Sequence, residues 1–264
     1  MAKAFWKGVI SFGMVVIPVK MYVATEPRTI NFHLLHKKCL TRPKQVLHCE
    51  HDQEYFTIKD TVRGYEYAKE QFVVLDENDF KKVQVKTSHS INILAFVESQ
   101  EVNPIYYQSS HYLEPEELGA KPFALLREVL AKTNRVGIAK VTFQRREHLC
   151  ALQPLDSIIA LHSMYYNDEI LSHEEIKPPK QQLTDAEIAM ATSLVKTMSG
   201  AFNPKEYKDE YQKALKEMVT AKLKGVEIKV TEKPQKEIPD LMAALKASIE
   251  AAKKKSGKRE AVAA

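Results

Sequence analysis

Three strand-like runs follow one another between Gly137 and Tyr165 with only short gaps, and this stretch limits the possible folds more than any other. The runs are Gly137–Gln144, His148–Gln153 and Ser157–Tyr165. A parallel crossover needs a dozen or more residues between its strands, so the gaps predict antiparallel hairpins. The rest of the first 180 residues reads mainly as strand too. In Val9–Thr25, Val15, Ile17, Val19, Met21 and Val23 alternate with Lys20 and Tyr22, and Pro18 suggests an edge or a bulge. Gln71–Leu75, Ile91–Val97 and Ile105–Leu113 are further strands by the same reading. One helix interrupts them: Ala120–Asn134 places Phe123, Leu126, Val129 and Leu130 on one face, with Pro122 near its start and Asn134 near its end. So many sequential strands close into a barrel or fold as a sandwich. The expected class is mainly β with α appendages.

The texture changes after Pro178-Pro179. Thr184-Asp185-Ala186-Glu187 is a capping box opening a helix to about Met198. Asn203 reads as the cap of a second helix, with Pro204 at its first position and Gly225 just past its end. Its apolar stripe is Tyr207, Tyr211, Leu215, Met218, Val219 and Leu223, which must be buried either on its own barrel or on another subunit. Val226–Pro239 reads as a polar linker. Asp240–Lys253 is then a short amphipathic helix with Leu241, Met242, Leu245 and Ile249 on one side, marginal alone and expected to order on a partner. The tail that follows, with Lys253, Lys254, Lys255, Lys258 and Arg259, should be attracted to any polyanion.

At 44% hydrophobic and 28% charged, the 264-residue chain has the composition of a globular protein. No apolar run is long enough to span a membrane, and the N-terminal run has no small-residue cleavage site, so no signal peptide is expected. Three cysteines, an odd and widely spaced set, argue against a disulfide framework, and the cytoplasm is the natural compartment. The net charge of +5 is modest but segregated: +7 over residues 1–48, −8 over 49–120, +5 over 121–155, −4 over 156–204 and +5 over the rest. Such segregation lets positive segments gather on one surface.

No phosphate loop, dinucleotide fingerprint or nucleophile elbow is present, and eight glycines leave little room for a cryptic one. His148 and Cys150 lie two apart in a strand and share a face, as a nucleophile pair would, but a buried structural cysteine is the commoner case. Asp76, Glu77 and Asp79 resemble a solvated turn. Cys39, His48, Cys49 and His51 form the one zinc-like constellation, although the spacing lacks a C-x2-C knuckle, so no metal or other cofactor is expected. Lys37, Lys38, Arg42 and Lys44 cluster in a loop-like stretch. Lys140, Gln144 and Arg146 would share the polar face of one strand, opposite Ala139, Val141 and Phe143. Neither a recognition helix nor a base-stacking motif is evident, so bound DNA would be read through its backbone and shape.

Several ordered segments resemble the bacterial Ku family. They are W-K-G-V-I-S-F-G with I-P-V-K-M-Y (Trp6 to Tyr22), F-H-L-L-H-K-K (Phe32 to Lys38), V-R-G-Y-E-Y (Val62 to Tyr67), and P-I-Y-Y with Y-L-E-P (Pro104 to Pro115). A-L-L-R-E with V-G-I-A-K-V (Ala124 to Val141), R-E-H-L-C-A-L-Q-P (Arg146 to Pro154) and L-M-A-A-L-K-A-S-I (Leu241 to Ile249) complete the set. The resemblance implies a Ku-type β-barrel within residues 1–182, interrupted by an inserted bridge at about 31–90, then a helical arm for dimerisation at 183–228. Residues 229–264 would be a linker, a short ligase-recruiting helix and a basic tail. It implies a non-catalytic homodimeric ring around the ends of double-stranded DNA in non-homologous end joining, with a multidomain repair ligase as partner. Lys20, Lys37, Lys38, Arg42, Lys44, Lys140, Arg145 and Arg146 would line its channel, Lys20 because its segment resembles a family strand that faces DNA. Tyr207 to Leu223 would grip the second subunit, Leu241, Met242, Leu245 and Ile249 would meet the ligase, and Lys253, Lys254 and Lys255 would add DNA contacts. Two other functions compete: an architectural DNA-binding protein indifferent to ends, and a metal-dependent nucleic-acid enzyme.

Overall fold

The computed structural model describes residues 3–83, 89–143, 146–225 and 244–251. The chain divides into two compact units, Met1–His173 and Glu174–Ala264.

The first unit is built on a closed barrel. Its strands are β1 (Trp6–Phe12), β2 (Val15–Val23), β7 (Ser90–Glu98), β8 (Tyr107–Pro115), β9 (Arg135–Phe143), β10 (Arg146–Leu155) and β11 (Ile158–Met164). They follow one another around the wall in the order β1-β2-β8-β11-β10-β9-β7. Only the β1–β7 seam is parallel; every other neighbour is antiparallel, including the β9–β10–β11 meander. Barrel rather than sandwich is thus the outcome. The strands place Ile10, Ile17, Val19, Met21, Ile91, Leu113, Leu152, Ile159 and Leu161 fully inside.

The long run from Val9 to Thr25 is two strands, not one. Gly13 and Met14 form a two-residue loop between Phe12 and Val15, with Gly13 at φ 57°, a conformation that favours glycine. Pro18 lies opposite Val9 and just beyond the β2–β8 ladder, which begins at Val19. Its carbonyl accepts from the Glu116 backbone N–H, so the side of Pro18 that lacks an N–H faces the end of β8, where no ladder bond is lost. The run expected from Ile105 begins instead at Tyr107, because Asn103 caps a 3-10 turn, Pro104–Tyr106, accepting from the Ile105 N–H at 3.0 Å.

Helix α2 (Ala120–Thr133) packs on the barrel through Phe123, Leu126 and Leu130, and each buried side chain of this size contributes about 1.5–3 kcal/mol. It ends where Asn134 turns left-handed at φ 52°. At its N-terminus Gly119 sits so close to β2 that a Cβ there would meet the Pro18 carbonyl oxygen at 2.8 Å.

Between β2 and β7 lie two small hairpins, β3 (Leu47–Cys49) with β4 (Glu54–Phe56) and β5 (Arg63–Ala68) with β6 (Gln71–Leu75), followed by α1 (Glu77–Val83). Every residue of β5 is exposed, and so are Phe72, Val73 and Val74 of β6.

In the second unit α3 (Asp185–Met198) starts at the expected capping box: Glu187 N–H donates to Thr184 Oγ1, and the Glu187 carboxylate accepts from the Thr184 N–H at 2.7 Å. The next helix starts later than expected. Asn203 caps only a 3-10 turn, Pro204–Glu206; Tyr207 is extended, and α4 (Glu210–Leu223) is capped by Asp209, whose carboxylate accepts from the Gln212 N–H at 2.9 Å. Two capping side chains six residues apart divide a segment that reads as one helix. No side chain of α3 or α4 is fully buried. Residues 244–251 form a further short helix, α5.

Candidate nucleic-acid interface

The cations expected to meet DNA fall into two groups. Lys20 points outward from β2, between the inward Val19 and Met21. Across the ladders it faces Lys7 of β1 on one side and Glu114 of β8 on the other. Lys7 lies two residues ahead of the apolar run that begins at Val9, so the sequence pattern alone does not place it on the strand. Two lysines directly opposite one another destabilise a sheet, and a phosphate lying across them removes that repulsion. Glu114 is engaged by Tyr22, whose hydroxyl donates to it; that hydrogen bond, then burial and the carboxylate charge, raise the Tyr22 pKa and keep the phenol a donor.

Lys37, Lys38, Arg42 and Lys44 are all exposed, in a segment with neither helix nor strand, and none makes an ion pair among the described residues. A tight turn closed by His36 N–H to the Thr41 carbonyl, and by Leu40 N–H to the His36 carbonyl, both at 2.8 Å, presents Lys37 and Lys38 at its tip.

Lys140 and Arg146 do not share a face of one strand. The chain reverses between Phe143 and Arg146, so Lys140 on β9 lies opposite Leu149, while Arg146 on β10 lies opposite Phe143, on the other side of the sheet. The reversal resets the alternation that a single strand would have continued. Each cation already has a carboxylate: Lys140 Nζ lies 2.8 Å from Glu147, and an Arg146 guanidinium nitrogen 3.1 Å from Glu169. The Glu147 hydrogen bond and charge raise the Lys140 pKa. The Tyr166 backbone N–H, and then Arg146, hold the Glu169 carboxyl low. Gln144 and Arg145, like Leu241, Met242, Lys253, Lys254 and Lys255, lie outside the described residues.

The zinc-like residues do not converge. Cys39 Sγ lies 3.0 Å from His36 Nδ1 and 2.9 Å from Thr41 Oγ1, within its own turn, and chiefly the Thr41 contacts, then His36, lower its pKa to about 7. Cys49 donates to Asp52, His51 pairs with the same carboxylate at 2.9 Å, and His48 packs on the Tyr55 ring. Among the described residues no three or more His, Cys, Asp or Glu gather into a set able to hold a metal. Cys150 is wholly buried, donates to the Ala139 carbonyl, and has its pKa pushed up by burial, which leaves it no thiolate to attack with. Asp76 accepts from the Asn78 and Asp79 N–H groups at the start of α1, a turn and not a ligand set.

The structure also shows a histidine cluster that the sequence reading missed. His111 is buried against Phe5 and Phe143, and His148 stacks on Phe143 with ring centres 4.0 Å apart. His111 Nδ1 and His148 Nε2 are buried without a hydrogen-bond partner among the described residues. His162, on the neighbouring strand, bonds the Ser110 hydroxyl at 2.8 Å.

Of the stripe proposed for a second subunit, Tyr207 lies outside α4, Tyr211 and Leu223 are exposed, Met218 and Val219 are 38% exposed, and Leu215 is half-buried. Leu245 and Ile249 are half-buried on α5. No helix among the described residues is long and apolar enough to cross a membrane.

Residues 11–190 match the family model of the Ku70/Ku80 beta-barrel domain. A non-homologous end joining protein Ku of Solibacter usitatus is 39% identical over 99% of this chain and 100% of its own length. The protein of that name from Archaeoglobus fulgidus is 39% identical over 95% of this chain and 100% of its own, and that from Bacillus subtilis 36% identical over 93% and 81%.

Proposed function

The chain belongs to the Ku family, and from that premise we propose that it binds the ends of double-stranded DNA without regard to sequence, as a homodimeric ring that protects them and brings a multidomain repair ligase to the break. The observation that carries this reading is the nearly full-length match to proteins named for non-homologous end joining. The geometry agrees with it in three respects. Lys37, Lys38, Arg42 and Lys44 stand exposed without an ion-pair partner among the described residues, and Lys7 faces Lys20 across a strand pair, as backbone-directed contact requires. The β5–β6 hairpin leaves Tyr65, Tyr67, Phe72, Val73 and Val74 exposed, and a two-stranded ribbon of that kind needs a further surface to be stable. In α4 an apolar stripe stands without one buried residue, which fits an arm that closes on a second copy. We take the first unit as the part that holds DNA and the second as the part that holds partners.

A closed ring loads at a free end and then slides inward; no base contact is needed, and each phosphate neutralised adds salt-dependent affinity. No chemical step is assigned to the chain. Competition in a gel-shift assay tests the reading: relaxed closed circles should compete far worse than linear fragments of equal length. Equal competition would contradict threading and favour an architectural role. Cleavage of a labelled duplex by substoichiometric protein, lost on chelation, would instead make it a nuclease.

A further inference from the structure

The apolar face of α3 is covered in part by the chain itself. Leu183, Ile188, Ala191, Thr192 and Val195 line a groove of about 550 Å3, and Leu245 of α5 contributes to the same wall. The α3 members recur at the spacing of one helix face, and Leu183 and Ile188 occupy the positions of a hydrophobic staple around the Thr184 cap. On α5, Leu245 and Ile249 are one turn apart and half-buried, whereas Lys246, Ala247, Ser248 and Glu250 are exposed. The eight described residues of α5 make too few turns to hold a helix in water by themselves, so contacts with a neighbouring surface help to order them.

We propose that the α3 groove is the docking surface of the chain's own C-terminal helix, and that docking there withholds Leu245 and Ile249 from a protein partner. The withholding rests on the reading above, in which those two side chains meet the ligase. The engagement is shallow: Leu183 stays 66% exposed, Ile188 50% and Val195 65%. A shallow contact is reversible, and a partner that offers Leu245 and Ile249 a deeper apolar pocket displaces it.

The test uses the full chain carrying Val195→Cys and Ser248→Cys, the latter exposed on α5 one turn from Leu245 so that Leu245 and Ile249 stay intact, with Cys39→Ser and Cys49→Ser to remove the accessible native thiols. A short bis-maleimide reagent at low protein concentration should link the two positions within one chain, giving a product of monomer mass on a denaturing gel and the joined peptides in mass spectrometry. A chain-to-chain link, or none, overturns the docking. The linked protein should bind the ligase about tenfold more weakly than the same variant unlinked, and Val195→Asp in the otherwise native chain should bind it about tenfold more tightly than wild type. Unchanged binding in both arms overturns the withholding while the docking stands. A wild-type chain that does not bind the ligase overturns the recruitment reading itself, and with it the withholding, and the cross-link then judges the docking alone.

Discussion

The barrel and the helical arm solve the burial problem in opposite ways. In the barrel each strand finds a neighbour on both sides, and Ile10, Ile17, Leu152 and Leu161 are wholly removed from water. In the arm, two helices of fourteen residues each bury no side chain completely, and Met198, Tyr211 and Leu223 remain open. The β5–β6 hairpin, although within the first unit, resembles the arm in this respect. The difference separates what the single chain buries for itself from apolar surface it leaves open, which the function proposed above gives to a partner.

Leu152→Ala should break the barrel side of this comparison most severely. A buried leucine cut to alanine costs about 2–5 kcal/mol, so the urea midpoint should fall by that equivalent at every protein concentration. Phe72→Asp in the exposed hairpin should lower the midpoint only at protein concentrations where the proposed dimer forms, so that variant and wild type converge on dilution. A Phe72→Asp effect independent of concentration would place the hairpin on the self-sufficient side.

Acid is the next lever, and it acts on the barrel. Burial lowers the pKa of His111, His148 and His162 in the folded chain. A histidine depressed by folding binds fewer protons folded than unfolded, so stability is full above the unfolded value of about 6.5 and falls as pH drops through it, by at most about 1.4 kcal/mol per pH unit for each histidine. The loss levels off below the folded values. Urea unfolding between pH 7.5 and 5 should show this decline, and His111→Phe should make it shallower. A stability that rises on acidification would mean that the buried rings gain a partner when charged.

Much of this was legible in the sequence, and what was not has definite causes. The meander from Arg135 to Met164 was evident because its alternation continues through short turns and its hairpins need no remote information. The Gly13–Met14 turn was hidden inside an unbroken apolar run, since a two-residue loop removes almost nothing from the pattern. The start of α4 was displaced because Asn203-Pro204 opens a 3-10 turn as readily as an α-helix. Lys7 was missed for want of two residues of β1, and the partners of Lys140 and Arg146 depend on the β9–β10 reversal and on Glu169, 23 residues beyond Arg146. The histidine cluster joins residues from separate strands, which no local spacing reveals.

The smallest effects should separate the two classes of cation. Lys37→Gln with Lys38→Gln removes two exposed charges that have no ion-pair partner among the described residues, and the slope of log affinity against log salt should shrink by up to about 0.9 for each. Lys140→Gln should change the slope much less, because Lys140 already spends its charge on Glu147 at 2.8 Å and a phosphate must displace that carboxylate. Glu147→Gln supplies the reverse test. With the carboxylate removed, Lys140 is released to the solvent face, and end binding should tighten by a fewfold at low salt, an advantage that fades as salt screens it. If Glu147→Gln leaves affinity and slope unchanged, Lys140 is remote from the DNA path, and the channel runs along Lys7, Lys20 and the 36–44 turn instead.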